Sequence, residues 1–313
     1  MITICVSVKI YHLKINNFGD ALNNWLWPKL IPNFFDNDEN NLFIGIGTVL
    51  NAWLPQTPYK IVLGAGAGGK KPFPLINEKF RLYALRGPIS ARLLNVNTKF
   101  GIGDGAILLK SLKYQPVHKE FTFSFMPHVA SKRFWNWKEI CDELLITYID
   151  PEDKIEKIIE SIRKTQYLIT SALHGAIVAD LFRVPQIHVY SYKKWLNKIK
   201  WEDWCLSVKL KYNAVEIGPL YSRDSINEKI YRELDKNKVF PILNPMIGNI
   251  SKKLINSFYS FGMNYNKEKV LNTFRWIVKN NPSIMSKDED INNIHEQLQE
   301  KLFKFKKDFS ITG

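Results

Sequence analysis

The residues with the clearest chemical capacity are His174 and Gly175, inside the stretch Gln166 to Tyr190, QYLITSALHGAIVADLFRVPQIHVY. A histidine moves protons near neutral pH. A helix start beside it offers unpaired N–H groups and a positive dipole end to an anion. The pair therefore describes an acid–base group next to an anion cradle. A lone histidine among six has a plain alternative as a surface or internally satisfied residue.

Other candidates sit at similar turns. Arg86, in Arg86-Gly87-Pro88, ends a strand-like run over a helix start. It could hold a carboxylate or phosphate in a bidentate fork, or equally pair with a structural carboxylate. Asp104 lies in the turn Gly103-Asp104-Gly105, and His128 ends the run FTFSFMPH. Asn17, Gly19 and Asp20 follow the first strand; Asp20 reads as an N-cap and Gly19 permits a tight turn, which leaves Asn17 less explained. Beyond Tyr190 come Lys193, Lys194, Trp195, Lys200, Trp201, Asp203, Trp204 and Ser207. Aromatic rings beside charged and hydroxyl groups are what a sugar site uses, and buried core tryptophans give the same string.

Gly64, Gly66 and Gly69 match the spacing of a dinucleotide fingerprint, but that motif must open a helix. Here Lys70, Lys71, Pro72 and Pro74 break the chain, so the glycines are read as places where two backbones, or a backbone and a ligand, approach closely.

These positions need elements to hold them. Tyr167 to Thr170 has the length and β-branching of a buried strand, a helical period follows to Phe182, and Gln186 to Tyr190 is a strand again. Val184 and Pro185 end the helix. The unit is β-α-β, with Ser171 at the end of its first strand. Ligands of open parallel sheets sit at the carboxyl ends of such strands. Strand and helix alternate through about residue 115 and again from Phe121, where FTFSFMPH, a helix around Trp135 to Asp142, the strand ELLITYID and the helix PEDKIEKIIESIRKT precede the His-Gly unit. The predicted class is α/β, with two Rossmann-like domains over residues 1–115 and 121–221 facing each other across a cleft. His128 would face the same cleft as His174. Residues 222–313 read as a helical, Lys-rich extension without candidate chemistry.

Composition narrows the classes. A chain of 313 residues with 45% hydrophobic and 13% aromatic content forms cores and is not disordered. No run approaches the roughly 18 to 20 apolar residues of a membrane span. The start, MITICVSVKIYHLKI, lacks the basic head and cleavage site of a signal peptide and reads as a strand. Cys5, Cys141 and Cys205 have no metal-ligand spacing, which points to free thiols and a cytoplasmic setting. The net charge of +14 attracts acidic partners, but the basic residues are scattered and no nucleic-acid motif accompanies them. Nucleic acid is therefore not an expected partner.

Taken in order, N-F-G-D, G-I-G-T, R-G-P with Ser90 behind it, G-D-G-A, F-M-P-H, Y-I-D-P, H-G-A-I-V-A-D with Val184-Pro185 beyond, and K-W-x-D-W resemble the polysaccharide pyruvyltransferases, specifically the succinoglycan-type branch. The resemblance runs from about Asn16 to Ser207. It implies a glycosyltransferase-B-like fold, transfer of a pyruvyl group from phosphoenolpyruvate to a sugar as a cyclic ketal, and a catalytic role for His174; the chemistry asks for a general acid and base, for which His128 is the second candidate. It requires no metal or cofactor beyond phosphoenolpyruvate as co-substrate. Many members carry Arg-Leu-His-Gly where this chain has Ala172-Leu173-His174-Gly175, so the donor's charges would fall to Arg86, to helix-start N–H groups or to a lysine. On this resemblance Arg86, Ser171, Gly175, Asn17, Gly19 and Asp20 are assigned to the donor, and Trp201, Asp203, Trp204 and Asp104 to the acceptor. The acceptor would be a sugar of an exopolysaccharide or capsule precursor, lipid-diphosphate-linked, which would bring the protein to the inner face of the membrane. A nucleotide-sugar glycosyltransferase and a non-catalytic glycan-binding component of polysaccharide assembly are the alternatives.

Overall fold

The computed structural model describes residues 8–132, 135–191, 197–218 and 267–311. Cys5, Lys193, Lys194 and Trp195 lie outside these residues. Strands β1 (Lys9–Ile10), β2 (Asn41–Ile44), β3 (Tyr59–Leu63) and β4 (Phe80–Ala84) form a parallel sheet in that order. Strands β5 (Phe121–Met126), β6 (Thr147–Tyr148), β7 (Thr165–Thr170), β8 (Gln186–Tyr190) and β9 (Val215–Glu216) form a second parallel sheet in the order β6-β5-β7-β8-β9. The protein is a mixed α/β chain built on parallel sheets. Parallel pairs need crossovers, and helices fill most of them.

The helices follow their local signals. Helix α1 (Phe18–Leu30) starts after Asn17, whose side chain accepts from the Gly19 N–H at 3.0 Å. Asn17 is thus the N-cap, and Asp20, the cap expected from sequence, stands three residues later and receives the Asn17 amide. Asp20 thus orients the capping amide through a side-chain hydrogen bond and does not itself cap the helix. Helix α4 (Ile155–Lys164) buries Ile155, Ile158, Ile159 and Ile162, the i, i+3, i+4, i+7 stripe of an amphipathic helix. Pro151 precedes this helix in a turn and does not open it; its carbonyl accepts from Phe18 N at 2.8 Å. Helix α5 (Leu173–Leu181) buries nearly every residue because it is packed on several sides. Helices α2 (Pro88–Leu93), α3 (Trp137–Glu143) and α6 (Lys198–Ser207) complete the set before the C-terminal segment. Of ELLITYID only Thr147–Tyr148 pairs as a strand, because Leu145 turns the chain at φ 55° and is 94% exposed.

One buried apolar cluster joins the two sheets. Phe18, Leu22 and Leu26 of α1 belong with Leu173, Ile177 and Leu181 of α5 and the isoleucines of α4. Each such side chain contributes about 1.5–3 kcal/mol by leaving water, so the contact fixes the sheets against each other. The C-terminal segment adds a second tie. Helix α7, residues 267–280, lays Val270, Leu271, Phe274 and Ile277 against Phe125, Ile169 and Ile187 of the second sheet. Ser286 then donates from its N–H and hydroxyl to buried Asp180, at 2.8 and 2.6 Å. Helix α8 (Asp288–Asp308) ends with Phe305 edge-on to Phe43 and Tyr83 of the first sheet. Among the described residues no helix is long and apolar enough to cross a membrane.

Candidate active site

A cavity of about 680 Å³ opens where the carboxyl ends of strands from both sheets meet. Each stretch of its wall follows a strand: Leu13 to Asp20 after β1, Gly47 and Thr48 after β2, Met126 to Lys132 after β5, Pro151 and Glu152 after β6, and Ala172 to His174 after β7. Lys200, near the start of α6, closes one side. This is the position at which open parallel sheets bind ligands. A second hollow, of about 750 Å³, lies between α1 and α4 beside Tyr114 and Arg163, and none of the sequence-predicted site residues line it.

His174 is the second residue of α5, and its ring lies against the backbone of α1 at Gly19. A Cβ built at residue 19 would fall 2.0 Å from Nδ1 and 2.7 Å from Cε1. Only glycine admits the imidazole here. On the other side, Nε2 lies 3.7 Å from Oδ2 of Asp104, which is fully buried. Both atoms are buried and neither makes a hydrogen bond among the described residues, the 3.7 Å between them being too long for one. The second oxygen, Oδ1, accepts from Ala106 N–H at 3.0 Å, which fixes the carboxylate. Asp104, assigned to the acceptor from sequence, thus stands behind the imidazole. The arrangement is an Asp-His pair with the histidine facing the cavity.

Asp20 lines the same cavity, and burial raises its pKa, with His174 and then the Asn17 amide opposing the rise. His128 sits across the cavity at the end of β5. Its backbone N–H donates to Ser171 Oγ at 2.7 Å, and its Nδ1 accepts from Ala130 N–H at 3.2 Å, so the exchangeable ring proton is on Nε2. Ser171 therefore ties the ends of β5 and β7 together. Gly175 faces inward, where a Cβ would come within 2.8 Å of Met126 Sδ and 2.9 Å of Thr170 Oγ1. Its smallness serves helix-to-strand packing.

Arg86 and the Trp-Asp-Trp segment turn inward instead. Arg86 is fully buried; Nε donates to Asp203 Oδ2 at 3.1 Å, Nη1 to Thr48 Oγ1 at 2.6 Å, and Nη2 to the Ala67 carbonyl at 3.2 Å. Asp203 also accepts from Ile89 N–H, Ser90 N–H and the Ser90 hydroxyl at 2.8, 3.0 and 2.5 Å. Of the two readings open for Arg86, the geometry matches the structural carboxylate. Gly66 lies directly under this guanidinium, 2.2 Å from Cζ to a built Cβ, which accounts for one of the glycines of that run. Trp201 and Trp204 are buried as well, with His188 4.7 and 5.8 Å from their ring centroids. The three acceptor candidates of that segment are core residues that do not line the cavity. Arg86 reaches it only through Thr48.

The residue that sequence reasoning left without a role is Lys200. It is partly buried on the cavity wall. Burial, and after it the Arg86 charge, push its ammonium down to about 8, against the opposing pull of Asp20. Its only sequence signal was its place in the Trp- and Lys-dense run. Lys132, also on the wall, is held by Asp150 and Glu152 at 2.5 Å each. Among the described residues no three His, Cys, Asp or Glu side chains are grouped to hold a metal ion.

Comparison with known proteins bears on this site. A family model described as polysaccharide pyruvyl transferase matches residues 10–194. The chain is also 37% identical over 199 residues to the succinoglycan biosynthesis protein ExoV of Rhizobium meliloti (strain 1021), an alignment covering 63% of each protein. The chain therefore spans less than two thirds of that curated relative. No solved structure matches the chain.

Proposed function

Because the chain belongs to the polysaccharide pyruvyl transferase family, we propose that it transfers the pyruvyl group of phosphoenolpyruvate onto two hydroxyls of a sugar, forming a cyclic ketal and releasing phosphate. The acceptor is a sugar of an exopolysaccharide or capsule precursor, carried on a lipid diphosphate and met at the inner face of the membrane. The observation that carries this reading is the convergence of His174 and the carboxyl of Asp20 on one cavity at the strand ends, with buried Asp104 3.7 Å behind the imidazole. The two parallel sheets support the finer picture of facing Rossmann-like domains, over residues 1–115 and 121–221, in a glycosyltransferase-B-like arrangement.

The chemistry divides into proton transfers and charge stabilisation. The methylene carbon of the donor takes a proton to become the ketal methyl group, which leaves an electron-poor carbon bearing carboxylate and phosphate. One sugar hydroxyl attacks that carbon, phosphate leaves, and a second hydroxyl closes the ring. The two hydroxyls lose two protons, of which one balances the methyl group and the other leaves with phosphate. His174 is the group that delivers the first proton. With a proton on Nε2 directed at Asp104, Nδ1 on the Gly19 side exchanges protons with substrate, and Asp104 stabilises the imidazolium. Asp20 is assigned to the attacking hydroxyl. Ionised, it would repel the donor, and its raised pKa brings it nearer the working range of a general base. The first amides of α5, which have no intrahelical acceptors, face the donor's anionic oxygens. His128 Nε2–H is placed to assist across the cavity. No metal or redox cofactor is required by these steps.

Phosphate release from phosphoenolpyruvate, measured with a panel of lipid-linked or aryl galactosides, glucosides and mannosides, tests the proposal. Release that depends on one of the sugars is the expected result. If phosphoenolpyruvate fails to bind while a nucleotide sugar binds in its place, the chain is a glycosyltransferase and the proposal is wrong.

A further inference from the structure

The cavity wall carries three kinds of fixed charge. Lys132 is neutralised by Asp150 and Glu152, both at 2.5 Å. Asp20 adds a carboxylate whose pKa burial has raised. Behind the wall Arg86 is fully buried, bound to Asp203 at 3.1 Å and donating also to Thr48 and the Ala67 carbonyl, and it does not line the cavity. Lys200 alone among the described wall cations has neither a hydrogen bond nor an ion pair. It sits near enough to Arg86 for the two like charges to repel, and near enough to Asp20 to feel its charge.

A partly buried ammonium without a partner is costly in the free protein. Taken without Lys200, the wall carries the carboxylates of Glu152 and Asp20 against the single cation Lys132, which Asp150 also neutralises from outside the lining, so a multiply charged anion would be repelled from it. One compact cation, with three donors on a flexible stem, changes that balance. Trp201 and Trp204 are buried in the same helix, and Asp203, three residues on, is held by the Arg86 network, so the backbone carrying Lys200 is fixed. The ammonium is thus presented by a rigid element to an otherwise acidic cavity.

We propose that Lys200 is the donor-binding cation of this site, holding the anionic oxygens of phosphoenolpyruvate against the start of α5. The assignment rests on the pyruvyl-transfer reading of the cavity. Carboxylate and phosphate present the same chemistry to an ammonium, and two simpler anions separate them. The neighbouring titratable and charged groups are Asp20 on α1, Arg86 and Asp203 behind, and His174, His128, Lys132 and Glu152 around the cavity.

The test is calorimetric titration of the full chain and of Lys200→Met, Lys200→Gln and Lys200→Arg with phosphoenolpyruvate, inorganic phosphate and pyruvate. Losing a hydrogen bond to a charged group weakens binding by about 10–100-fold, so Lys200→Met and Lys200→Gln should bind phosphoenolpyruvate that much more weakly, and Lys200→Arg within about threefold of wild type. A matching loss for inorganic phosphate identifies the phosphate as the group held, and a matching loss for pyruvate identifies the carboxylate. Wild-type affinity should also fall as pH rises through about 8, and that of Lys200→Arg should stay flat. Thermal melts of each variant separate lost binding from lost folding, and the three substitutions give three chances of a folded protein. A folded Lys200→Met or Lys200→Gln that binds phosphoenolpyruvate as wild type does overturns the assignment. Failure of the wild type to bind phosphoenolpyruvate overturns the pyruvyl-transfer reading itself.

Discussion

Substituting alanine at Gly19 perturbs the proposed acid–base group, His174, from a neighbouring helix while removing no titratable side chain. The added methyl would lie 2.0 Å from His174 Nδ1, 2.7 Å from Cε1 and 2.8 Å from Cγ. Restoring ordinary contact of 3.4 Å requires the ring to retreat by about 1.4 Å, or α1 and α5 to part by a similar amount. Either movement changes the 3.7 Å separation of Nε2 from Asp104 Oδ2 and the position of Nδ1 at the cavity. A misplacement of about 1 Å at a reacting group can cost on the order of 10²-fold in rate, so kcat of Gly19→Ala should fall about a hundredfold or more. Stability should change little. Alanine is favoured over glycine in a helix by up to about 1 kcal/mol, which offsets part of the roughly 1–3 kcal/mol of overpacking. The assay is sugar-dependent phosphate release, beside a thermal melt. A folded Gly19→Ala whose kcat lies within threefold of wild type would refute the placement of His174 as the proton-transferring group.

Further expectations concern the buried groups. Asp203→Ala should cost about 3–5 kcal/mol of stability, read by denaturant unfolding, because it strands the Arg86 charge in the interior; a variant of native stability that had lost only sugar affinity would return Asp203 to the acceptor site. His188 is held down to about 3 by burial. Its folded pKa lies below its unfolded value of about 6.5, so stability is full above pH 6.5 and is lost progressively as pH falls toward 3. In His188→Asn the melting temperature should decline less steeply over that window, and an unchanged slope would contradict the burial of this ring. Asp20 behaves in the opposite sense. Its raised pKa means that ionisation opposes folding, so Asp20→Asn should melt at or above the wild-type temperature at pH 7 while losing turnover; loss of both would point to a capping role alone.

Much of the secondary structure was legible because the apolar pattern and the breakers agree. The β7-α5-β8 unit is bounded by Ser171 and Val184-Pro185, and α4 by its isoleucine stripe. The cavity residues were legible in type but not in role. Asp104 and Arg86 both read as charged groups at strand ends, and only the packing tells that one backs His174 and the other meets Asp203, 117 residues along the chain. Trp201 and Trp204 illustrate the same limit, since a sugar platform and a buried core share one composition. Lys200 was hidden because a lysine between tryptophans on a basic chain carries no periodic signal. Its meaning lies in the carboxylates that surround the cavity and in the partners it does not have. Gly19 had a sufficient local explanation as a turn residue, which masked the long-range one, its contact with a ring 155 positions away in sequence.

The central claim is that His174 delivers a proton to the donor's methylene carbon. Running the reaction in heavy water with a sugar that supports turnover, and reading deuterium in the ketal methyl group by mass spectrometry, tests it directly. Wild type should place one solvent deuterium in the methyl group per phosphate released, and His174→Ala should lose product and label together by about 10²–10⁴-fold, the usual contribution of a positioned acid–base group. Product formed by His174→Ala at the wild-type rate, or a wild-type product without solvent deuterium, would contradict the account.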